Sequence, residues 1–363
     1  MNSNTAMPSA TMSSRRALGV GLIAAALVVG GIYVGSGRLA HFDPALFWYA
    51  LGSVLAAFAV GYRFTLWASR PPSRMYFKRG LELLFRRTTW SRQPSRPRGA
   101  SAMDLAREGA TNFVAQDFVR RRSIYRWIMH LCLSGGCTLA FAVTFPLVFG
   151  WIHFTTAPND AEIYNVVAFG MTLDTFSIHS VKALLAFNAL NIAGVVVLVG
   201  LAMAGYRRLT DAGERAVQTF YEDILPLILI AFVTVTGLAL TVSYHYLEGL
   251  GHRAMVWVHL VSVLLLLFYI PFGKLFHMFQ RSCALCVALY KKAGTTGEQA
   301  RCLVTGEEFT SRQHVEDMKV VLDELGFDYR FETADGKTVH YQDISPQGRR
   351  RLIALNQGRQ LNR

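Results

Sequence analysis

Six blocks of apolar residues, each long enough to cross a bilayer as a helix, constrain this chain more than any other feature. A hydrocarbon core takes about 20 residues of helix. The blocks run over residues 17–35, 45–67, 127–150, 181–205, 224–244 and 254–277, and the third can extend to His153. Of the 363 residues, 52% are hydrophobic and 17% charged. The apolar residues are gathered into blocks instead of spread over helix faces and strands. That excludes a secreted enzyme, a nucleic-acid-binding domain and a disordered chain. The expected class is an all-α integral membrane protein, a six-span helix bundle with a small cytoplasmic α+β domain at its C-terminus. Ala17–Gly35 is longer than the apolar core of a signal peptide and no clear cleavage site follows, so it is expected to be a retained first span.

Orientation follows from the basic residues. Lys and Arg number 37 against 24 Asp and Glu, a net charge of +13. Residues 70–126 are rich in arginine, including Arg86-Arg87 and Arg120-Arg121-Arg122, and the connection 206–223 carries Arg207, Arg208 and Arg215. The connection 154–179 has Asp160, Glu162 and Asp174 and neither Lys nor Arg. The positive-inside rule then places both termini in the cytoplasm, in a membrane of the bacterial inner (cell) membrane type. The positive charge is read as topology and lipid contact, with no nucleic-acid partner. The organisation expected is a tail over 1–16, a two-span hairpin over 17–67, a basic cytoplasmic segment over 68–126, a four-span bundle over 127–277 and a soluble domain over 278–363.

Within the basic segment, Tyr76–Phe85 has the pattern of an amphipathic helix lying on the inner membrane face. Pro94 and Pro97 mark a linker, and Asp104–Phe118 suits another short helix. In the last domain, Val315, Met318, Val321 and Leu322 share a helical face within Ser311–Leu325. Asp335-Gly336 is a hairpin turn signal between Tyr329–Phe331 and Thr338–Tyr341. Ser345-Pro346 reads as the cap and first residue of a basic helix.

The histidines carry the chemistry. His259 and His277 are 18 residues apart on the last block. On an unbroken helix that is five whole turns and about 27 Å of rise, so both rings would leave one face near opposite membrane surfaces. Paired axial imidazoles hold b-type haem within helix bundles, and this geometry suits two haems stacked across the bilayer. His130, at the inner end of the third span, matches the depth of His277. For the outer haem, His153 and His179 both lie at the level of His259, with His245 a third possibility. His153 can serve only if the helix ends or bends near Gly150, because an unbroken helix would put it about 34 Å from His130 and off its face. His41, His252, His314 and His340 fall in loops or the tail and are expected at the surface.

Over roughly residues 120–290 the chain resembles the cytochrome b membrane subunits of the respiratory nitrate reductase gamma type. Related subunits serve heterodisulfide-reductase-like and sulfite-reduction complexes. The resemblance rests on Arg126-Trp127 with His130, and on His259 followed by Pro271-Phe272-Gly273-Lys274-Leu275-Phe276-His277. It implies that His259 and His277 each ligate one of two b haems, that His130 completes the inner one and that His153, or alternatively His179, completes the outer one. It also implies that quinol is handled near the outer haem and that electrons pass to a cytoplasmic iron–sulfur or molybdenum-containing redox subunit. Lys182 matches a quinol-contacting lysine in character. The third span departs from the family, with Ala140 ten residues after His130 where a second ligand would stand.

Cys283, Cys286 and Cys302 form an incomplete metal-ligand set with His314 as a possible fourth member, or else pack within a continuing helix. No catalytic residue is named. The leading reading is a dihaem electron-transfer subunit working between the quinone pool and a cytoplasmic partner. The alternatives are a secondary transporter, for which no matched pair of broken spans is visible, and a haem-free anchor or sensor with the tail as effector.

Overall fold

A computed structural model describes residues 10–85, 102–158, 160–332, 336 and 338–361. In chain order the elements are α1 (Ala10–Gly35), α2 (Phe47–Ala68), α3 (Ser73–Leu84), α4 (Ala102–Gly109), α5 (Asp117–Arg120), α6 (Ile124–Val148), β1 (Ile152–Ala157), β2 (Asp160–Ala168), β3 (Met171–Ser177), α7 (Val181–Thr210), α8 (Ala212–Val217), α9 (Leu225–Tyr246), α10 (His252–Phe272), α11 (His277–Gln280) and α12 (Ser282–Thr295). They are followed by β4 (Gln299–Arg301), β5 (Glu308–Ser311), α13 (Arg312–Glu324), β6 (Arg330–Glu332), β7 (Thr338–His340) and α14 (Pro346–Leu361). Among the described residues, six helices are long and apolar enough to cross a membrane, and they coincide with the six apolar blocks. Leu27, Leu184, Val235 and Val261 on these helices are exposed. A bundle built for water would bury such side chains, whereas lipid accepts them. The chain is a multi-pass membrane protein with a small C-terminal region of short strands and helices.

The chain forms two compact units. The first holds Arg16–Arg63 and Gln116–Phe279. Its core gathers Ala56 of α2, Val197 of α7, Ile230 of α9 and Leu266, Leu267 and Ile270 of α10, with Leu133, Cys137, Phe141 and Phe145 of α6 packed against them. The N-terminal spans therefore share a core with the four-span bundle. Glycines let α6 and α7 approach closely: a Cβ at Gly136 would lie 2.6 Å from Val197 Cγ2, and one at Gly200 would lie 2.8 Å from Leu133 Cγ. Small residues at such contacts are how helices gain packing in lipid. α6 and α7 start on side-chain caps: Ser123 accepts from the Arg126 N–H and Ser180 from that of Ala183. Each satisfies a backbone donor that a helix start leaves open.

Two expectations are revised in this unit. The last span does not run unbroken to His277. α10 ends at Phe272, Gly273 is extended, and a tight turn over Lys274–Phe276 precedes α11. Pro271 lacks an N–H, and a Cβ at Gly273 would fall 2.0 Å from the Tyr269 ring. The five-turn register between His259 and His277 therefore does not hold. Arg63 of α2 covers the break: its Nη1 donates to the Pro271 carbonyl, and its guanidinium lies 4.6 Å from the centre of the Phe276 ring. A cation there answers the open carbonyls of a helix C-terminus.

The connection 154–179 is not a loop but part of a three-stranded antiparallel sheet, β1-β2-β3. Ala168 pairs with Met171 across Phe169-Gly170, both at positive φ. That is the two-residue hairpin geometry usually taken by Asn-Gly. Phe169 is held there by donating its N–H to the Trp151 carbonyl at 2.9 Å. Its uncommon turn sequence hides the hairpin from a sequence reading.

The second unit comprises the described parts of residues 1–15, 64–115 and 280–363. The C-terminal residues are thus grouped with described residues of 64–115. α3 does not lie free on a membrane, because Leu83 is buried with Leu289, Tyr290 and Ala293 of α12. Asp317 of α13 is nearly inaccessible and collects four hydrogen bonds: Arg79 Nη2 at 2.7 Å, Arg79 Nε at 3.1 Å, Tyr290 Oη at 2.7 Å and Gln313 Nε2 at 2.8 Å. The helix read over 311–325 is present as α13 with Ser311 as cap, and α14 begins at Pro346, with the Ser345 hydroxyl accepting from the Gly348 N–H at 3.0 Å. β6 pairs with β7 across Gly336 at positive φ. Pro94, Pro97, Arg86-Arg87 and Asp335 lie outside the described residues.

Removing the Asp317 carboxylate leaves Arg79 paired with Glu82 at 3.0 Å but takes the acceptor from Tyr290 and Gln313, and a buried donor that loses its acceptor costs about 1–3 kcal/mol. Asp317→Ala is therefore expected to lower the thermal unfolding midpoint of the full chain by several degrees, followed by circular dichroism in detergent. An unchanged midpoint would remove the cluster from the account of this unit's stability.

Candidate functional site

Three of the four favoured histidines share one feature. His130 lies on α6, and its Nδ1 is 2.6 Å from Oε1 of Gln116. His259 lies on α10, and its Nδ1 is 2.9 Å from Oγ1 of Thr236 on α9. His277 opens α11, and its Nδ1 is 2.7 Å from the Lys274 carbonyl. A carbonyl and an amide oxygen carry no proton, so Nδ1 donates in His130 and His277. The Thr236 hydroxyl lies against the Phe232 carbonyl at 2.7 Å and the Val233 carbonyl at 3.1 Å as well as His259 Nδ1, and the His259 tautomer decides which of the two gives the proton. In His130 and His277 the neutral ring then leaves its lone pair on Nε2. Metal-ligating histidines are held in this way by an acceptor on the far nitrogen.

The surroundings of His259 also fit a flat ligand. Gly237 of α9 faces the ring, and a Cβ there would come to 3.2 Å from His259 Cε1. The Tyr49 ring is centred 6.5 Å away. Ser262 donates to the His259 carbonyl at 2.7 Å and so fixes this part of α10. The small Gly237 leaves the His259 ring room against α9, and the imidazoles are of the donor type that haem takes.

The candidates for the outer partner are arranged differently. α6 ends at Val148, and Gly150 turns the chain at positive φ, so His153 sits on β1. Its ring stacks on His41 with centroids 4.0 Å apart and planes 18° apart, and its buried Nδ1 has no hydrogen-bond partner among the described residues. Of the histidines expected at the surface, His41 is exposed there while stacking on His153, and His340 is buried. His179 is exposed, with Nε2 3.7 Å from Glu162 Oε2. His245 is exposed at the end of α9, edge-on to Tyr244.

Lys182 stands one residue into α7 and donates to both oxygens of Asp174 on β3, at 3.1 and 2.9 Å. That hydrogen bond, with the Thr175 N–H, holds the Asp174 carboxyl below the usual range. The pair borders a cavity of about 550 Å³, otherwise apolar, between α6, the sheet and α7, lined among others by Ala142, Leu147, Phe154, Phe176 and Ala186. Ligand cavities of this size and character are common. α10 is not among the lining elements.

At the other end of the spans, Glu214 pairs with Arg207 and lies 3.6 Å from Arg126. Asp223 pairs with Lys274 and lies 3.9 Å from Arg208. Lys274 thus contributes its carbonyl to His277 and its ammonium to Asp223.

The cysteines do not gather. Among the described residues no three His, Cys, Asp or Glu form a metal-holding group. Cys283 and Cys286 are buried in α12, and a Cβ at Gly80 would fall 2.6 Å from Cys286 Sγ. Burial, with Cys286 beside it, pushes the Cys283 thiol up to about 11. Burial also raises Cys302, but N–H donors of Ser345 at 3.3 Å and Thr305 at 3.4 Å outweigh it and bring that thiol down to about 6. The packing reading accounts for Cys283 and Cys286.

No family model matches the chain. The fold and these histidines define a helical membrane protein with polar residues fixed inside its bundle. It is similar to the E-type polypeptide of the dihydromethanophenazine:CoB–CoM heterodisulfide reductase of Methanosarcina barkeri (strain Fusaro / DSM 804), with 25% identity over 217 residues, covering 57% of this chain and 75% of that protein. No solved structure matches it.

Burial, reinforced by the His41 charge, holds His153 below the ordinary histidine value of 6.5. The unfolded chain then binds more protons below that pH, so this pair contributes stability above pH 6.5 that is lost as pH falls through the folded value. An NMR titration should place His153 below 6.5, and the His41→Ala variant should move it upward. A native midpoint above 6.5 would contradict the stacked arrangement.

Proposed function

We propose that this protein is the membrane electron-transfer subunit of an oxidoreductase complex, a dihaem b-type cytochrome that exchanges electrons between a lipid-soluble carrier and a redox partner. His130 and His277 would hold one haem. His259 would hold the other, with His153 or His179 as second ligand. Bound haem supplies one-electron transfer at potentials set by its axial ligands and burial. The observation that carries the reading is the oxygen partner held against Nδ1 in each of His130, His259 and His277, an arrangement that favours Nε2 as the metal-binding atom. Imidazoles at membrane depth call for a functional reason. The relative's name, which pairs a dihydrophenazine with a heterodisulfide, supports a redox complex.

The carrier would bind in the cavity beside Lys182 and Asp174. A carrier of quinol or dihydrophenazine type has an apolar ring system and polar atoms that both donate and accept. The ammonium offers a donor, the carboxylate an acceptor, and the apolar walls take the ring. That pocket is lined by α6, α7 and the sheet. By the positive-inside rule this end faces away from the cytoplasm, and the His130 and His277 end faces it. The cytoplasmic partner, an iron–sulfur or molybdenum-containing subunit, would dock on the arginine-rich side.

Two sets of variants test this. His130→Ala and His277→Ala should each abolish the same component of the reduced-minus-oxidised spectrum and retain the other. Loss of different components would break the pairing. Lys182→Ala should slow reduction by a quinol or dihydrophenazine analogue roughly tenfold or more, the loss of a charged hydrogen bond worth about 1.5–3 kcal/mol, with haem content unchanged. Ala142→Phe, which fills the pocket from α6, should do the same. Unchanged kinetics in both would place the carrier elsewhere.

A further inference from the structure

We infer that Gln116 is a positioning residue: it fixes the tautomer and ring plane of His130, and thereby the direction in which the Nε2 lone pair is offered to a metal. The inference rests on the haem reading only for that last clause.

Three hydrogen bonds link Ser134, Gln116 and His130 in a closed circuit. The Ser134 hydroxyl has one proton and donates it to the His130 carbonyl one turn back, at 2.7 Å. Toward Gln116 that hydroxyl can therefore only accept, and it does so from Nε2 at 2.8 Å. With the amide nitrogen engaged there, Oε1 is the atom facing His130 Nδ1 at 2.6 Å. Oε1 has no proton, so Nδ1 must carry it. With Ser134 donating to the His130 carbonyl, each bond sets the direction of the next, and the circuit ends on an Nδ1–H imidazole.

The backbone supports this assignment. Gln116 has φ 51° and ψ 43°, the left-handed region that a residue with a long side chain seldom adopts, and it is 8% exposed. Strain of that kind persists where surrounding contacts over-determine a conformation, and it clusters at functional sites. The turn starts α5, and two residues on, the Phe118 ring stands edge-on to His130 with centroids 6.4 Å apart. One short segment therefore grips the imidazole at Nδ1 and on its face.

The oxygen partners of the three Nδ1 atoms are an amide, a hydroxyl and a backbone carbonyl, all uncharged. A carboxylate in that position would draw more strongly on the proton, make the imidazole more basic and favour the oxidised metal. Gln116 is where this can be changed with little change of shape.

The test uses the full chain in detergent. In haem-depleted protein with ¹⁵N-labelled histidine, the resonances lost in His130→Ala identify His130. The wild type should show Nδ1 protonated and Nε2 bare, and Gln116→Leu should give a mixture of tautomers. In the haem-loaded protein, the component lost in His130→Ala should shift to lower potential in Gln116→Glu and to higher potential in Gln116→Leu, while the other component stays in place. Opposite shifts cannot come from a general loosening of the fold. An unchanged tautomer in Gln116→Leu, or shifts of the same sign in both variants, would overturn the inference. If the wild type took up no haem, the proposed function would fail while the tautomer measurement would still decide the role of Gln116.

Discussion

Lipid offers no hydrogen bonds, so every polar group within the bundle has to find its partner in the protein. The backbone meets this demand by forming helices. The hydroxyls meet it by donating to carbonyls a turn back, as Ser53, Thr234 and Thr236 do. Asn191 meets it across helices, accepting from Thr241 of α9. Applied to an imidazole, the same constraint has a chemical consequence. Once Nδ1 has given its proton to a nearby oxygen, the ring's basic nitrogen is oriented and ready to bind a metal. In the proposed reading, structural satisfaction and ligand preparation would be the same hydrogen bond.

Where a helix must end within the bundle, the same constraint decides how. Pro271 and Gly273 stop α10 short of His277, and Arg63 reaches the opened carbonyl at Pro271. The turn that follows places the Lys274 carbonyl against His277 Nδ1 and its ammonium on Asp223. The break is thus what gives His277 its acceptor. An uninterrupted helix would have committed that carbonyl to its own ladder.

The spans were legible because apolar runs of this length have few other fates. The helix ends were less so, since Pro271 and Gly273 can be tolerated inside membrane helices and only the Tyr269 ring against Gly273 shows why this one stops. His130, His259 and His277 stand out in sequence as ionisable residues in apolar blocks. Their partners do not. Gln116 lies in a polar connection with no periodicity to mark it, and Thr236 is one hydroxyl among several in α9. A signal did exist for Thr236, because small polar residues recur within that span at Thr234, Thr236, Thr241 and Ser243. The sheet was missed because Phe169-Gly170 is an unusual turn pair, and with it went the cavity whose walls β1 and β3 supply. The α3–α12 packing joins segments some 200 residues apart, which no local pattern can announce.

The central claim is that these histidines hold haem. The most direct measurement is a pyridine haemochrome assay on the purified, folded full-length chain. Close to two b-type haems per chain is the expected result. A folded preparation, made with haem in ample supply and containing none, would contradict it.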